Sequence, residues 1–108
     1  MKSDNHIIES IEVTGIVQGV GFRPFVHNLA VKHGLGGYVL NGPKGVSIEI
    51  EGPSETIEAF LYDLEHSAPP LSKILNIVRN TSSVREIDEN LPRHKNFEIR
   101  DSVREGKP

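Results

Sequence analysis

Hydrophobic and polar positions along this chain switch between two periods, and the switching lays out its elements. Ile7, Ile11, Val13, Gly15 and Val17 fall on one side of a period-two segment, with Glu9 the only charged residue among them. Ser10, Glu12 and Thr14 fall on the other side, the pattern of a half-buried strand. A glycine-punctuated turn follows, Gln18-Gly19-Val20-Gly21, after which Phe22, Phe25, Val26, Leu29 and Ala30 recur at three- and four-residue steps. These predict a helix, with Pro24 in its first turn, where a missing N–H is harmless, and Gly34 at its end.

Tyr38-Val39-Leu40 predicts a second strand and Asn41-Gly42-Pro43-Lys44-Gly45 a turn. In the third strand Val46, Ile48 and Ile50 alternate with Ser47, Glu49 and Glu51. Gly52-Pro53-Ser54 breaks it, with Ser54 the expected N-cap of a second helix. Ile57, Phe60, Leu61 and Leu64 form the apolar stripe of that helix, and Glu55, Glu58, Asp63 and Glu65 are expected to face water. Pro69-Pro70 bars its continuation. A fourth strand is expected from Ile74 to about Val84 and a short fifth at Phe97-Glu98-Ile99-Arg100. Arg85 to Lys95 is polar and reads as a loop.

The order is β-α-β-β-α-β with one strand added, and each helix has a single apolar face. That predicts an α+β fold, a two-layer α/β sandwich of ferredoxin-like type, with two helices on one face of a mostly antiparallel sheet. Residues 1–101 are expected to form the domain and 102–108 a tail or severed linker. The layout hosts many unrelated activities, so function has to be argued from particular residues.

Composition narrows the classes. The chain has 108 residues, enough for one domain. It contains no cysteine, which removes disulfide scaffolds, thiolate metal sites and cysteine nucleophiles. A net charge of −3 argues against a general nucleic-acid backbone binder. No apolar run approaches the ~20 residues of a membrane span, and Met1-Lys2-Ser3-Asp4-Asn5-His6 lacks the apolar stretch of a signal peptide. A soluble, cytoplasmic domain without nucleic-acid or membrane partners is expected.

The turn between Val17 and Arg23 is the first candidate for chemistry. Glycines let successive backbone N–H groups converge, and the free donors of a helix N-terminus lie beside them, so such a turn attracts anions, phosphate above all. Arg23 adds a planar, permanently charged fork that can grip two phosphate oxygens. A dinucleotide fingerprint does not fit, because Pro24 stands where a third Gly or Ala is needed, and Gly42-Pro43-Lys44-Gly45 is no P-loop. On the residues alone, ordinary turn chemistry and a solvated arginine remain an open reading.

Asn41 is the second candidate. It ends the second strand, which the expected sheet order sets next to the first, so its amide would face the exit of the first strand. A side-chain amide offers donors and an acceptor, suited to orienting a water molecule. Asn-Gly between strands is also a common turn signal, and by spacing alone the turn reading stands first. The histidines form no ligand set: His27 and His33 lie on opposite faces of one helix, with His27 expected on the solvent side, while His6, His66 and His94 fall near ends or loops. Tyr38, Phe60 and Tyr62 read as packing. An RNA-binding sheet would need aromatic and basic residues where Val46, Ile48, Ile50, Glu49 and Glu51 stand.

The segment Val13-Thr14-Gly15-Ile16-Val17-Gln18-Gly19-Val20-Gly21-Phe22-Arg23 resembles the first acylphosphatase signature, and Gly37-Tyr38-Val39-Leu40-Asn41 with Gly45 resembles the second. Phe22-Arg23-Pro24-Phe25-Val26, Gly45-Val46-Ser47-Ile48-Glu49-Ile50 and Pro69-Pro70-Leu71-Ser72-Lys73-Ile74 look like the N-terminal domain of the HypF carbamoyltransferases of NiFe-hydrogenase maturation. Leu40 departs from the basic or small residue of the small enzymes.

The resemblance implies that Arg23 and the backbone amides of Gln18, Gly19, Val20, Gly21 and Phe22 hold a phosphoryl group, and that Asn41 positions the attacking water. It implies hydrolysis of an acyl or carbamoyl phosphate without metal, cofactor or covalent intermediate. In the larger family it also implies later carbamoyltransferase domains and a partner hydrogenase-maturation protein. A free acylphosphatase, or a phosphate-binding module with little turnover, is the alternative.

Overall fold

Strand β1 (His6–Ile16) has the alternation expected of it, and its neighbours copy that alternation in register. The computed structural model describes residues 6–83 and 96–100. The expected loop at 85–95, His94 and the tail at 102–108 lie outside the described residues. After β1 come α1 (Phe22–Lys32), β2 (Gly36–Asn41), β3 (Gly45–Pro53), α2 (Ser54–His66), β4 (Lys73–Ser83) and β5 (Phe97–Ile99). The sheet runs β4-β1-β3-β2-β5. Its pairings are antiparallel except for β2 and β5, which run parallel. No helix among the described residues is long and apolar enough to cross a membrane.

Register explains the core. Pairing Ile11 with Ile48 and Val13 with Val46 puts the apolar residues of β1 and β3 on one face, and a slip by one residue would turn all of them to the other side. Against that face α1 sets Phe22, Val26, Leu29 and Ala30, and α2 sets Ile57, Phe60, Leu61 and Leu64, all buried. This is the two-layer sandwich expected from the sequence. The first helix closes where Gly34 N–H bonds the Val31 carbonyl and Leu35 N–H the Ala30 carbonyl, 3.0 and 2.9 Å. This Schellman ending turns Leu35 into the core.

Glu9 sits on the apolar face and is 1% exposed. Arg79 of β4 answers it, donating from Nε and from Nη2, the latter at 3.1 Å to Oε1. The same guanidinium bonds Glu58 of α2, with Nη2 at 2.6 Å from Oε2. Hydrogen bonding to Glu9 first and Glu58 second holds Arg79 well above the ordinary guanidinium value. The β1–β4 register shifts between Ile8 and Glu9 and again between Thr14 and Gly15. Arg79, opposite Ile11, therefore pins the stretch between two irregularities.

Several outward-facing expectations are corrected by how the elements pack. Pro53 occupies the N-cap of α2 and Ser54 is the first helical residue, with no side-chain cap bond. The extended Pro53 backbone (φ −66°, ψ 141°) suits the cap and starts the helix one residue earlier. Asp63 turns toward α1 and bonds His33 Nε2 at 2.9 Å, whereas Glu58 faces water as expected while bonding Arg79. His27 is half-buried because β5 brings the Phe97 ring edge against it, with centroids 6.1 Å apart. Tyr62 is 62% exposed and stacks on His66 one turn along, while Phe60 is in the core.

Removing only Arg79 leaves a buried carboxylate without its cation. Arg79→Met is expected to cost about 3–5 kcal/mol in urea unfolding, and adding Glu9→Met to recover most of that loss. Glu58→Gln, at the exposed end of the cluster, should cost less than about 1 kcal/mol.

Candidate anion-binding site

Val17, 1% exposed, is the first residue after β1 and anchors the start of the loop in the core. Gln18, Gly19 and Gly21 are exposed, Val20 leans on the core, and Phe22 buries its ring at the start of α1. Gly19 and Gly21 have φ of 76° and 81°, and a Cβ at either would meet no atom within 4 Å. Backbone conformation, not space, demands glycine here, since other residues rarely adopt left-handed φ. Left-handed residues in such a loop are what a nest of converging N–H groups requires. Gly21 is the N-cap of α1 and no side chain caps the helix, which leaves its first N–H groups to water or an anion.

Arg23 follows in the first turn and is half-buried. Its Nη1 donates to the backbone carbonyl of Arg100, 3.0 Å away. Arg100 N–H in turn bonds the Val39 carbonyl at 2.8 Å, so the arginine is tied through the end of β5 to β2. Among the described residues no carboxylate forms an ion pair with Arg23. The side chain of Arg100 lies over the Tyr38 ring, 4.1 Å from its centroid. Burial raises the Tyr38 phenol above its ordinary value, with Glu49 adding to the rise and Arg100 opposing it.

Asn41 ends β2 and pairs with Val46. The expectation that its strand lies beside the first is corrected: β3 stands between β1 and β2. The loops are joined in another way. Gln18 Nε2 donates to the carbonyls of Gly42 at 3.0 Å and Gly45 at 2.7 Å. The β1–α1 loop is thereby bonded to the β2–β3 turn, directly after Asn41. Close approach reinforces this: a Cβ on Gly45 would overlap the Val13 carbonyl oxygen.

Asn41 Oδ1 is buried and accepts no hydrogen bond from the described residues. Such orphans are rare in folded proteins, and a carbonyl oxygen in this state is a docking point for a donor such as water.

Two participants escape the sequence. Gln18 was expected to act only through its backbone, yet its side chain links the two loops; a long amide within a glycine turn is its only signal. Arg100 acts on Arg23 through a backbone carbonyl, which no residue type announces. Three of the described histidines are engaged elsewhere: His33 is bonded to Asp63, His66 to the Tyr62 carbonyl and His6 to Glu51.

The acylphosphatase family model matches residues 9–99. A probable carbamoyltransferase HypF of Methanocaldococcus jannaschii is 48% identical over 80 residues, covering 73% of this chain and 10% of that protein. Among solved structures, full-length HypF in its phosphate- and nucleotide-bound form aligns with a TM-score of 0.81 at 39% identity, over 94% of this chain and 12% of that one. Acylphosphatase from Bacillus subtilis aligns at 0.72 with 36% identity, over 87% of this chain and 97% of that enzyme. The chain spans about a tenth of the HypF relatives it matches.

Gln18→Met keeps the side-chain length and removes both donated bonds. It should cost about 1–2 kcal/mol in urea unfolding and speed amide hydrogen exchange at Gly42 and Gly45, read by NMR, while exchange within β3 stays slow.

Proposed function

The chain belongs to the acylphosphatase family, and on that premise we propose that it hydrolyses acyl phosphates, with carbamoyl phosphate as substrate. The observation that carries the reading is the buried Asn41 oxygen, without a partner among the described residues, at the end of a strand whose following turn is bonded to an uncapped glycine loop and helix end. One part can receive a water molecule and the other can receive the phosphoryl group.

In this reading the backbone amides of Gln18, Gly19, Val20, Gly21 and Phe22 and the Arg23 guanidinium bind the phosphoryl oxygens. These donors are set before substrate arrives, and holding the developing charge needs no rearrangement at the moment of reaction. Asn41 Oδ1 accepts a hydrogen bond from water and aims its lone pair at phosphorus. The water oxygen bonds to phosphorus as the bond from phosphorus to the acyl oxygen breaks. The acyl group departs as carboxylate, or as carbamate from carbamoyl phosphate, and the water proton passes to a phosphate oxygen. A mixed anhydride has a good leaving group. Charge-holding and water alignment therefore suffice, and the proposed reaction needs no metal and no covalent intermediate.

Two likenesses favour carbamoyl phosphate: the 48% identity to a probable HypF carbamoyltransferase and the TM-score of 0.81 to full-length HypF. In that setting the carbamate would pass, in the cytoplasm, to later carbamoyltransferase domains and then to a partner hydrogenase-maturation protein. The similarity to a Bacillus subtilis acylphosphatase over 97% of that enzyme supports the second reading, a free acylphosphatase of wider substrate range.

Phosphate release from carbamoyl phosphate, measured colorimetrically, should fall about 10²–10³-fold in Arg23→Ala and in Asn41→Ala. Inorganic phosphate should still bind Asn41→Ala and should be lost from Arg23→Ala. Wild-type turnover by either variant would remove the role given to that residue. Phosphate binding without hydrolysis by the parent would make the chain a binding module, and faster turnover of acetyl phosphate would favour the free acylphosphatase.

A further inference from the structure

On the flank formed by α2 and β4 runs a groove that the proposed hydrolysis does not use. It consists of two adjoining depressions of about 280 and 450 Å3 that share Glu65 and Ile77. Leu61, Ile74 and Ile77 form its floor and belong to the core or pack against it. On the helix side Glu58, Tyr62 and Glu65 stand at i, i+4 and i+7, in one line along α2. On the strand side Leu75 is 69% exposed. It is the extra residue at the register shift, since Thr14 pairs with Asn76 and Gly15 with Ile74.

Three features define what fits there. Among the described residues β4 is the outer strand of the sheet, so every second backbone N–H and C=O along it is directed away from β1. Edge strands are commonly guarded by charge or proline, yet Ile74 to Val78 contains neither, and Val78 is 47% exposed on the opposite face from the helices. The groove is also acidic. α2 contains no Lys or Arg, and Arg79, the basic residue lining the groove, already serves Glu9 and Glu58.

We propose that this edge binds an extended polypeptide segment of alternating basic and aliphatic residues, added to the sheet beside β4. The backbone edge selects an extended chain. Groove-facing Lys or Arg side chains lay their methylenes on the apolar floor and carry their charge to Glu65, beside the Tyr62 ring. The alternate residues, on the opposite face, meet Val78. None of the residues lining the groove belongs to the Gln18–Phe22 loop, Arg23 or Asn41, and the proposal does not depend on the hydrolysis reading.

The test uses a nine-residue peptide alternating Val and Lys, titrated into the whole chain by fluorescence anisotropy and NMR. Binding should shift amides of β4 and α2 and spare those of Gln18 to Arg23. Glu65→Lys and Tyr62→Ala, both at exposed positions, should each weaken it about tenfold without changing phosphate release. A Val–Glu peptide should not bind, and N-methylation of alternate residues of the Val–Lys peptide should abolish binding. The proposal is overturned by failure of the Val–Lys peptide to bind, by equal binding of the Val–Glu or N-methylated peptide, or by undiminished binding to Glu65→Lys. Self-association of the chain through β4, seen by sedimentation without peptide, would overturn it in favour of a second copy.

Discussion

Arg79 reaching in from the edge strand to Glu9 is the contact on which the placement of β1 turns. A carboxylate on the apolar face of a central strand would strongly disfavour this register if left alone. With Arg79 bonded to it, the same carboxylate makes the register specific, because a one-residue slip would separate the charges and expose Ile11 and Val13 together. β1 also carries the glycine loop at its end. The position of that loop over the sheet is therefore set by aliphatic pairing on one side, Ile11 with Ile48 and Val13 with Val46, and by an ion pair on the other.

From that fixed exit, the candidate site is assembled mostly by the backbone. The loop owes its shape to left-handed φ at Gly19 and Gly21, and its donors are peptide N–H groups. Side chains enter as ties: Gln18 joins the loop to the turn after Asn41, and Arg23 is moored on the Arg100 carbonyl. The arginine tie leaves capacity unused, since a guanidinium has five N–H donors and the described contact employs one. A site built this way presents donors in a fixed array, and among the described residues no carboxylate pairs with its arginine.

The sequence displayed the layers clearly because burial and periodicity are local signals. β3 shows this best, where Val46, Ile48 and Ile50 alternate without exception. It also displayed the glycine loop and Arg23, since turn chemistry and helix starts leave marks on residue type. What it concealed was pairing across distance. The strand of Asn41 reads as a neighbour of the first, but strand order is a property of the whole sheet, and β3 intervenes. Glu9 looked like an exception until a partner 70 residues away came into contact with it. Asp63 and His27 looked solvated because their covering partners, His33 and Phe97, belong to other elements.

The mooring of Arg23 on Arg100 spans 77 residues of sequence, which has a bearing on the order of folding. Helix α1 and the loop before it are local structures that can form early, but the carbonyl that holds the arginine arrives with β5. That strand joins by a parallel pairing with β2, and contacts of such long sequence separation are slow to close. The hairpin of β2 and β3 and both helices can be in place while the guanidinium still swings free. Arg23 acquires its described orientation only when β5 docks, so the placement of its guanidinium is a readout of the finished fold.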